Sequence, residues 1–384
     1  MTPGELLDGP VLFTRQDIGS PHYLPLTSLY SIAPSGGRLK QLTHQPGGID
    51  AAVASPDGRR IAFTEQTYGR KPRERYVNGE YVHVVNADGS HDRTVYRCVS
   101  SACGELSWSP DSTRLLITDN RTHILEPDGQ VQLLCLGGCP GDSPDEASWS
   151  PDGRQLAFQY WVNVPLQNGQ QGPGGTSTVD AIGVVGADGS NPHPITDLEC
   201  GPSNHAGCTD DTGPVWSPDG STIAFVRTMP PYLLPNNSRQ GLPIDGSTEQ
   251  LAAIRPDGST RPTLWGCRHC GIESTAWSPT GQQLAFVSDD YQDGGRHEVV
   301  TINVIDSRTG ERASEQLHVL TRAQGGPAPD VVWAPTGRNL ALGAGALGVP
   351  PGVSLVSVEP DKLGKPRRLI RNGAAPITWL PRRP

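Results

Sequence analysis

Short apolar runs recur along the whole chain, and a tight-turn signal precedes most of them. Ile61-Ala-Phe63 follows Ser55-Pro-Asp-Gly58, and Leu156-Ala-Phe158 follows Trp149-Ser-Pro-Asp-Gly153 in the same arrangement. Runs this short between Pro and Gly residues are typical of strands. Further copies of the unit begin at Trp108, Trp216, Trp277 and Trp333. The hydrophobic pattern therefore predicts an all-β chain built on one repeated unit.

Each unit contains four short predicted strands, A to D, which is the composition of a propeller blade. Strand A ends in the tryptophan motif, and strand B is the apolar run after it. Pro presets φ and Gly accepts a positive φ, so the Pro-Asp-Gly between them predicts a turn. A second turn signal ends strand C, as in Asn86-Ala-Asp-Gly-Ser90. The motif tryptophans are expected to pack between blades rather than to stack on sugars.

The two ends of the chain complement each other. Val11-Leu-Phe-Thr14 looks like a B strand without its A strand, and Pro376-Ile-Thr-Trp-Leu-Pro381 looks like an A strand without its B strand. Joined, they make one more blade, and circular closure leaves no open sheet edge. Six internal A strands plus this one predict a seven-bladed propeller in a single domain of residues 1–384, with six blades as the alternative.

The Trp-Ser-Pro-Asp-Gly motif followed by Ile-Ala-Phe resembles the propeller repeat of TolB-type proteins. Similar repeats occur in the propellers of prolyl-oligopeptidase-like enzymes and of oligogalacturonate lyases. The resemblance covers nearly all of the chain and implies the fold, although TolB propellers usually have six blades. No Gly-x-Ser-x-Gly motif of a serine hydrolase occurs in the sequence, so the resemblance leaves the function open.

Composition narrows the classes of function. The 46 Gly and 37 Pro residues agree with many tight turns and few long helices. No stretch approaches the roughly 18 uncharged apolar residues of a transmembrane helix. A net charge of −9 argues against nucleic acid as the main partner. We expect a monomer with no transmembrane segment, and no signal peptide is visible at the N-terminus.

The long insertions fall on one face of the predicted propeller. The A–B and C–D turns share the opposite face, which carries little besides Asp-Gly turns. The predicted B–C loops span residues 15–27, 65–80, 160–180, 227–249 and 288–298. Because long loops on a rigid scaffold concentrate binding and catalytic residues, we expect the ligand site at the channel mouth on the face of the B–C and D–A loops.

The candidate ligand-binding residues on this face are a basic cluster, an aromatic pair and one further arginine. The cluster could bind carboxylates or sulfates, and an ordinary solvated loop is the alternative. Aspartates of the sixth blade could bind Ca²⁺, although their spacing matches no standard calcium loop, so no cofactor is expected. The candidates are Arg70, Lys71, Arg73, Arg75, Tyr160, Trp161 and Arg296 for the ligand, and Asp289, Asp290 and Asp293 for calcium.

A histidine or tyrosine base beside an arginine would suit a lyase acting on an acidic sugar. The arginine neutralises the carboxylate, the adjacent C–H becomes acidic, and the base removes that proton. The candidate bases are His22, Tyr76, His205 and His297, each of which could equally be an ordinary loop residue. Because no catalytic motif stands out, the favoured hypothesis is a non-catalytic TolB-like propeller that binds a protein or glycan. A polysaccharide lyase is the alternative.

Eight cysteines form four close pairs, each between a D strand and the next A strand. The pairs are Cys98 with Cys103, Cys135 with Cys139, Cys200 with Cys208, and Cys267 with Cys270. Local disulfides are the favoured interpretation, with free thiols or a zinc site as alternatives. Because disulfides persist in oxidising compartments, we expect an extracytoplasmic protein, periplasmic or secreted.

Overall fold

All seven predicted blades are present as antiparallel sheets in the computed structural model. Within the residues that the structure describes, the chain contains strands and turns but no helix. The predicted all-β, seven-bladed propeller is therefore confirmed. The described residues are 8–16, 27–44, 47–68, 77–99, 103–119, 121–134, 145–165, 176–199, 208–229, 248–259, 263–266, 270–292, 297–310, 317–322, 330–344, 352–359, 362–371 and 374–381.

The strands are named β1 to β29 in chain order, and each blade is given from strand A to strand D. Blade 1 consists of β29 (Ala374–Trp379), β1 (Val11–Gln16), β2 (Thr27–Ile32) and β3 (Lys40–Gln41). Blade 2 consists of β4 (Gly48–Ala54), β5 (Arg60–Tyr68), β6 (Val77–Asn86) and β7 (Arg93–Arg97). Blade 3 consists of β8 (Leu106–Trp108), β9 (Leu115–Thr118), β10 (Thr122–Leu125) and β11 (Val131–Leu133). Blade 4 consists of β12 (Asp145–Trp149), β13 (Gln155–Pro165), β14 (Thr176–Gly186) and β15 (His193–Pro194).

The last three blades follow the same order. Blade 5 consists of β16 (Asp210–Trp216), β17 (Ile223–Met229), β18 (Thr248–Ile254) and β19 (Trp265–Gly266). Blade 6 consists of β20 (Cys270–Trp277), β21 (Gln283–Gln292), β22 (His297–Asp306) and β23 (Leu317–Arg322). Blade 7 consists of β24 (Asp330–Trp333), β25 (Asn339–Ala344) and β26 (Gly352–Glu359), and β26 pairs with both β27 (Lys362–Leu363) and β28 (Arg367–Arg371).

Both ends of the chain close the ring in blade 1, as the sequence predicts. Strand β29 pairs antiparallel with β1, and Val11 lies opposite Trp379 in that pairing. Leu380 N–H also donates to the Pro10 carbonyl at 2.9 Å. Each A strand contacts the A strand of the next blade all the way round, in the order β29, β4, β8, β12, β16, β20, β24 and back to β29. The A strands therefore form the inner ring of the propeller.

Indole hydrogen bonds link each of several blades to the one before it. Trp149 Nε1 donates to the Ser107 carbonyl at 3.2 Å, and Trp333 Nε1 donates to the Ala276 carbonyl at 3.0 Å. In both cases the acceptor immediately precedes the tryptophan of the previous blade. Equivalent bonds are made by Trp108, Trp277 and Trp379. These five tryptophans therefore pack the blade interfaces, since each ring is apolar while its N–H finds a partner.

The A–B turn is built from its own side chains. In blade 4 the Gly153 N–H donates to the Ser150 carbonyl at 2.8 Å, which closes the turn. Ser150 Oγ donates to Asp152 Oδ1 at 2.6 Å, and that carboxylate also accepts the Arg154 N–H at 3.0 Å. Gly153 has φ of 69°, a value that glycine adopts without a steric cost. The motif therefore closes the turn through its own contacts, and Arg114 Nη2 of blade 3 also donates to the Gly153 carbonyl at 2.7 Å.

Three B–C hairpins extend well into the predicted loops, and those of blades 1 and 5 extend by one to three residues at each side. Strand β13 continues to Pro165 and β14 begins at Thr176, so much of the loop predicted at 160–180 is a ladder. Strands β5 and β6 remain paired as far as Tyr68 and Val77, and β21 and β22 as far as Gln292 and His297. The predicted loop bounds are wrong at these places. Aromatic and β-branched residues continue the pairing beyond the apolar run, because they suit a pleated surface.

Candidate functional site

The loop face is the end of the blades where the B–C and D–A connections leave, and the turn face is the opposite end. Five A strands shift register close to the loop face. A β-bulge leaves its extra residue out of the ladder and re-aims its side chain. The shifts lie between Ile49 and Ala52, Asp145 and Ala147, Thr212 and Val215, and Ile272 and Ser274, and in β29 opposite Phe13 and Thr14.

Acidic residues occupy this level of the inner ring in blades 3, 4, 6 and 7, and Asp50 lies within the β4 bulge of blade 2. Glu146 lies in the β12 bulge with φ of 36°, and its Oε2 accepts the Gly213 N–H of the next blade at 3.0 Å. Glu105 immediately precedes β8, Glu273 lies in the β20 bulge, and Asp330 begins β24. Burial raises the pKa of Asp330. The entrance to the inner ring on the loop face is therefore rich in carboxylates.

A buried ion pair supports the same end of blade 5. Arg227 donates from Nε and Nη2 to the two carboxylate oxygens of Asp211, at 2.7 and 2.8 Å. Asp211 is fully buried, so this bidentate contact satisfies a charge that water does not reach. Burial raises the pKa of nearby Tyr160, and the charges of Asp211 and Asp197 raise it further. Tyr160 is therefore a poor general base at neutral pH.

A buried histidine in blade 2 lies between two carboxylates. His83 Nε2 is 3.2 Å from Glu65 Oε2, and His83 Nδ1 is 2.9 Å from Asp92 Oδ1. The imidazole stacks on Phe63 with ring centroids 5.0 Å apart. Burial lowers the pKa of His83, but the hydrogen bonds to Glu65 and Asp92 outweigh that effect and leave the pKa raised. The network therefore joins strands B and C of the blade to the start of strand D.

The Cys98–Cys103 disulfide confirms one predicted pair and lies beside a buried carboxylate. The two Cα atoms are 5.7 Å apart. Asp119 Oδ2 accepts the Tyr96 hydroxyl at 3.0 Å and the Val99 N–H at 2.8 Å. Burial and the bond to Asp119 raise the pKa of Tyr96 to about 12. The connection between blades 2 and 3 is therefore held both covalently and by hydrogen bonds.

Comparison with known proteins agrees with this architecture. The chain is 31% identical over 133 residues to a TolB homologue of Chlorobium luteolum, a match that covers 34% of this chain and 28% of that relative. The match therefore spans less than a third of the length of that relative. No protein-family model matches the chain.

The TolB-type resemblance is confirmed.

Two solved structures share the fold of this TolB-like propeller. A puromycin hydrolase has a TM-score of 0.59 and 14% identity, with 98% of this chain and 55% of that chain covered. An oligogalacturonate lyase from Vibrio parahaemolyticus has a TM-score of 0.52 and 13% identity, with 95% of this chain and 87% of that chain covered. At such identities the likeness concerns the fold alone.

Most of the residues that the sequence predicts for the site lie outside the described part of the TolB-like propeller, and their roles stay predictions. His297 is the first residue of β22, and Asp290 lies in β21. The predicted site residues outside the described ranges are His22, Arg70, Lys71, Arg73, Arg75, Tyr76, His205, Asp293 and Arg296.

The predicted aromatic pair is divided between the core and the surface. Both residues lie in β13, where successive side chains point to opposite sides. Tyr160 is 5% exposed and packs near Phe158, with ring centroids 5.8 Å apart. Trp161 is 48% exposed, one of the largest apolar surfaces in the described structure. Of the two, Trp161 therefore presents a ring that a ligand can reach.

The calcium candidate Asp289 has a structural contact. It is 1% exposed, and its Oδ1 accepts the Gly271 N–H at 2.9 Å beside the β20 bulge. Among the described residues, no group of three or more His, Cys, Asp or Glu side chains could hold a metal ion. No helix in the described ranges is long and apolar enough to cross a membrane.

Two further cysteines are disulfide-bonded in the described structure, namely Cys208 and Cys270. Their predicted partners, Cys200 and Cys267, lie outside the described residues. The same is true of both members of the fourth predicted pair, Cys135 and Cys139.

Sequence reasoning missed the two buried charge networks. A signal was present for His83, which interrupts the apolar run Val82-His-Val-Val85 and therefore needs a polar partner. For Asp211 and Arg227 the signal is weaker. The two residues lie directly opposite each other in the β16–β17 ladder, but the bulge in β16 obscures that register in the sequence.

Proposed function

We propose that this chain is a non-catalytic TolB-like propeller that binds a protein or glycan on its loop face in an extracytoplasmic compartment. The unequal construction of the two faces is the observation that carries the proposal. The turn face repeats one compact motif, whereas the loop face varies from blade to blade in strand length, bulges and exposed groups.

The turn face offers few unused polar groups at its A–B turns. Ser55, Ser109 and Ser217 each donate from Oγ to the Asp two residues later at 2.6 Å, as Ser150 does. The hydrogen bond from Ser109 lowers the pKa of Asp111, which keeps its carboxylate ionised for the turn. These groups are committed to local structure, so they contribute little to recognition.

The loop face presents an aromatic ring on a rigid support. Trp161 lies on the long β13–β14 hairpin, with Asn163 also exposed two residues further along β13. A Trp held by a paired strand loses little conformational entropy on binding and provides a large contact area. This surface suits either the face of a sugar ring or an apolar side chain of a protein.

The charges on this face favour a protein over an acidic sugar as the ligand. Glu273 is exposed in its bulge, and Glu105 is exposed at the entrance to β8. These carboxylates would repel a polyuronate near the channel. Arg70 and Arg73 lie between β5 and β6 in the sequence, outside the described residues, and are expected to attract an anionic segment. A protein can present both signs of charge to such a surface.

The Cys98–Cys103 disulfide supports the compartment in this proposal. A local disulfide in a small loop persists where thiols are oxidised, outside the cytoplasm. The disulfide bonds of Cys208 and Cys270 point the same way.

The test is a selection from a random peptide display library on the immobilised protein, with an array of neutral and acidic glycans in parallel. Binders should be lost from the triple variant Arg70→Ala, Arg73→Ala, Trp161→Ala. They should persist on Arg59→Ala, which removes an exposed arginine of the turn face instead. Binders that survive the triple variant but are lost from Arg59→Ala would place the ligand on the wrong face.

Catalysis is tested separately with polygalacturonate. A lyase would generate an unsaturated sugar that absorbs ultraviolet light, whereas a binding protein leaves the absorbance unchanged. A steady rise in absorbance that the Arg70→Ala, Arg73→Ala pair abolishes would contradict the non-catalytic assignment.

A further inference from the structure

One contact between blades recurs on the turn face. The C–D turn glycines of blades 2, 4, 5 and 6 each lie against a residue that flanks the D strand of the preceding blade, whereas Gly36 and Gly37 of the blade 1 turn meet no atom of the described structure within 4 Å. A Cβ built on Gly89 would lie 2.8 Å from the Leu42 carbonyl oxygen, and one built on Gly189 would lie 3.4 Å from the Leu134 carbonyl oxygen. Gly258 and Gly310 approach the carbonyls of Ile195 and Leu264 in the same way. The contact therefore closes the turn-face end of four blade interfaces, namely those between blades 1 and 2, 3 and 4, 4 and 5, and 5 and 6.

The interface between blades 2 and 3 lacks this contact. A Cβ built on Gly129, the C–D turn glycine of blade 3, meets no atom of the described structure within 4 Å. Blade 3 also has the shortest described C strand, with four residues in β10. The turn of blade 3 therefore stands away from the strand that should support it.

The D strand of blade 2 explains the gap. Its register shifts between Val82 and His83, which leaves Val95 as an extra residue in β7. The next residue, Tyr96, occupies the position where the other blades have Leu or Ile, and its hydroxyl donates to Asp119. A bulge followed by a tethered aromatic side chain does not bring its backbone carbonyl against the turn glycine as Leu42 or Leu134 does. An opening remains between the blades.

The opening is a cleft of about 340 Å³. This volume is at the lower end of the range of roughly 300–1,000 Å³ typical of small-molecule sites. Its inner surface includes Val84, Leu115, Leu125 and Trp108, all buried. An apolar or aromatic group of a ligand would gain dispersion contacts with the part of this surface that faces the cleft.

The two walls of the cleft carry opposite charges. Arg60 and Arg93 come from blade 2, and Glu126 and Asp128 come from the C–D turn of blade 3. The Arg60 guanidinium lies 4.8 Å from the centroid of the Trp108 ring and donates to the Ser112 carbonyl, so it is held in place. Arg93 is exposed at the start of β7. One wall therefore suits a carboxylate and the other a cationic group.

We propose that this cleft binds a small zwitterion with an apolar body, such as a free aromatic or branched amino acid or a short apolar peptide. The carboxylate pairs with Arg93 and Arg60, the ammonium faces Glu126 and Asp128, and the apolar side chain enters between the blades. The site lies on the turn face and is independent of the ligand proposed for the loop face.

Isothermal titration calorimetry with four probes tests the charge requirement. Phenylalanine carries both charges, N-acetylphenylalanine only the negative one, phenylalaninamide only the positive one, and 2-phenylethanol neither. Phenylalanine should bind at least about tenfold more tightly than each of the other three, since each loses a charge-assisted hydrogen bond. Dipeptides of phenylalanine and leucine distinguish a free amino acid from a short peptide. Equal binding of N-acetylphenylalanine would overturn the two-wall assignment, and no heat from any probe would overturn the site.

Three variants locate the binding. Arg93→Gln should weaken phenylalanine binding about tenfold, because the exposed wall loses its charge-assisted bond. Arg154→Gln removes an exposed arginine of the turn face beside blade 4, where Gly189 seals the interface, and should change affinity less than about twofold. Val95→Phe fills the cleft and should abolish binding while the melting temperature stays equal or rises. Unchanged binding in both Arg93→Gln and Val95→Phe would place the ligand elsewhere.

Discussion

The indole hydrogen bonds between blades make a matched pair of substitutions possible. Trp333 and Trp216 occupy equivalent places at the end of their A strands and are 6% and 8% exposed. Trp333 Nε1 donates to the Ala276 carbonyl at 3.0 Å. The buried Trp216 Nε1 has no hydrogen-bond partner among the described residues. Replacing each by Phe removes a similar apolar area but a different number of hydrogen bonds.

The expected difference follows from that count. Trp333→Phe should lose a bond worth about 0.5–1.5 kcal/mol net, in addition to the lost ring area. Trp216→Phe removes a buried donor that has no partner. Burying such a donor costs about 1–3 kcal/mol, so its removal offsets part of the stability that is lost with the ring area. Both effects act in the same direction, so the free energy of unfolding should fall by about 1.5–4.5 kcal/mol more in Trp333→Phe than in Trp216→Phe.

Urea unfolding followed by far-ultraviolet circular dichroism measures both changes, and Trp379→Phe provides a repeat. Trp379 donates to the Val332 carbonyl at 3.2 Å across the interface between blades 7 and 1, so it should behave like Trp333. Equal losses of stability at positions 333 and 216, or a larger loss at 216, would show that ring area rather than hydrogen bonding controls these interfaces.

Three other results are expected. Deleting the chain from Pro376 onward removes most of the innermost strand of blade 1 and should lower the melting temperature sharply; unchanged melting would contradict ring closure. His83→Gln should lower stability more at about pH 5 than at about pH 9, because a raised folded-state pKa stabilises below the unfolded value of about 6.5 and that contribution is lost as pH rises. An equal loss at both pH values would mean that His83 is not protonated in the fold. Replacing Cys98 and Cys103 by Ser should cost about 2 kcal/mol in urea unfolding, and a negligible loss would contradict the disulfide.

Local sequence determined the blades and their number. The Ser-Pro-Asp-Gly turn closes through contacts among neighbouring residues, as Ser150, Asp152 and Gly153 show. Because the turn depends on few residues and on fixed φ values, its repetition predicts each A–B hairpin. The unpaired strands at the two termini then predicted the closing pair, in which Val11 lies opposite Trp379. The Cys98–Cys103 pair was also local enough to predict.

Tertiary structure alone decided which side chains meet across strands and blades. The sequence placed Tyr160 in a loop, whereas continued pairing of β13 buries its ring beside Phe158. Asp211 and Arg227 meet only because a bulge adjusts the register of β16 against β17. Such contacts depend on register, on bulges and on the packing of one blade against the next. These features arise from the balance of many weak interactions between residues far apart in the chain, and no short motif encodes them.

The cleft beside Gly129 combines a turn that the local sequence specifies with a gap that only the packing of two blades creates. Its turn, Glu126-Pro-Asp-Gly129, shares the Asp-Gly signal of the C–D turns in blades 2, 4 and 5. The turn lacks support because the preceding blade has an extra residue at Val95 and ties Tyr96 to Asp119. A turn motif specifies the local path of the backbone, because the φ preferences act within four residues. Whether a neighbouring strand reaches that turn depends on the other blade, and only the assembled ring decides it.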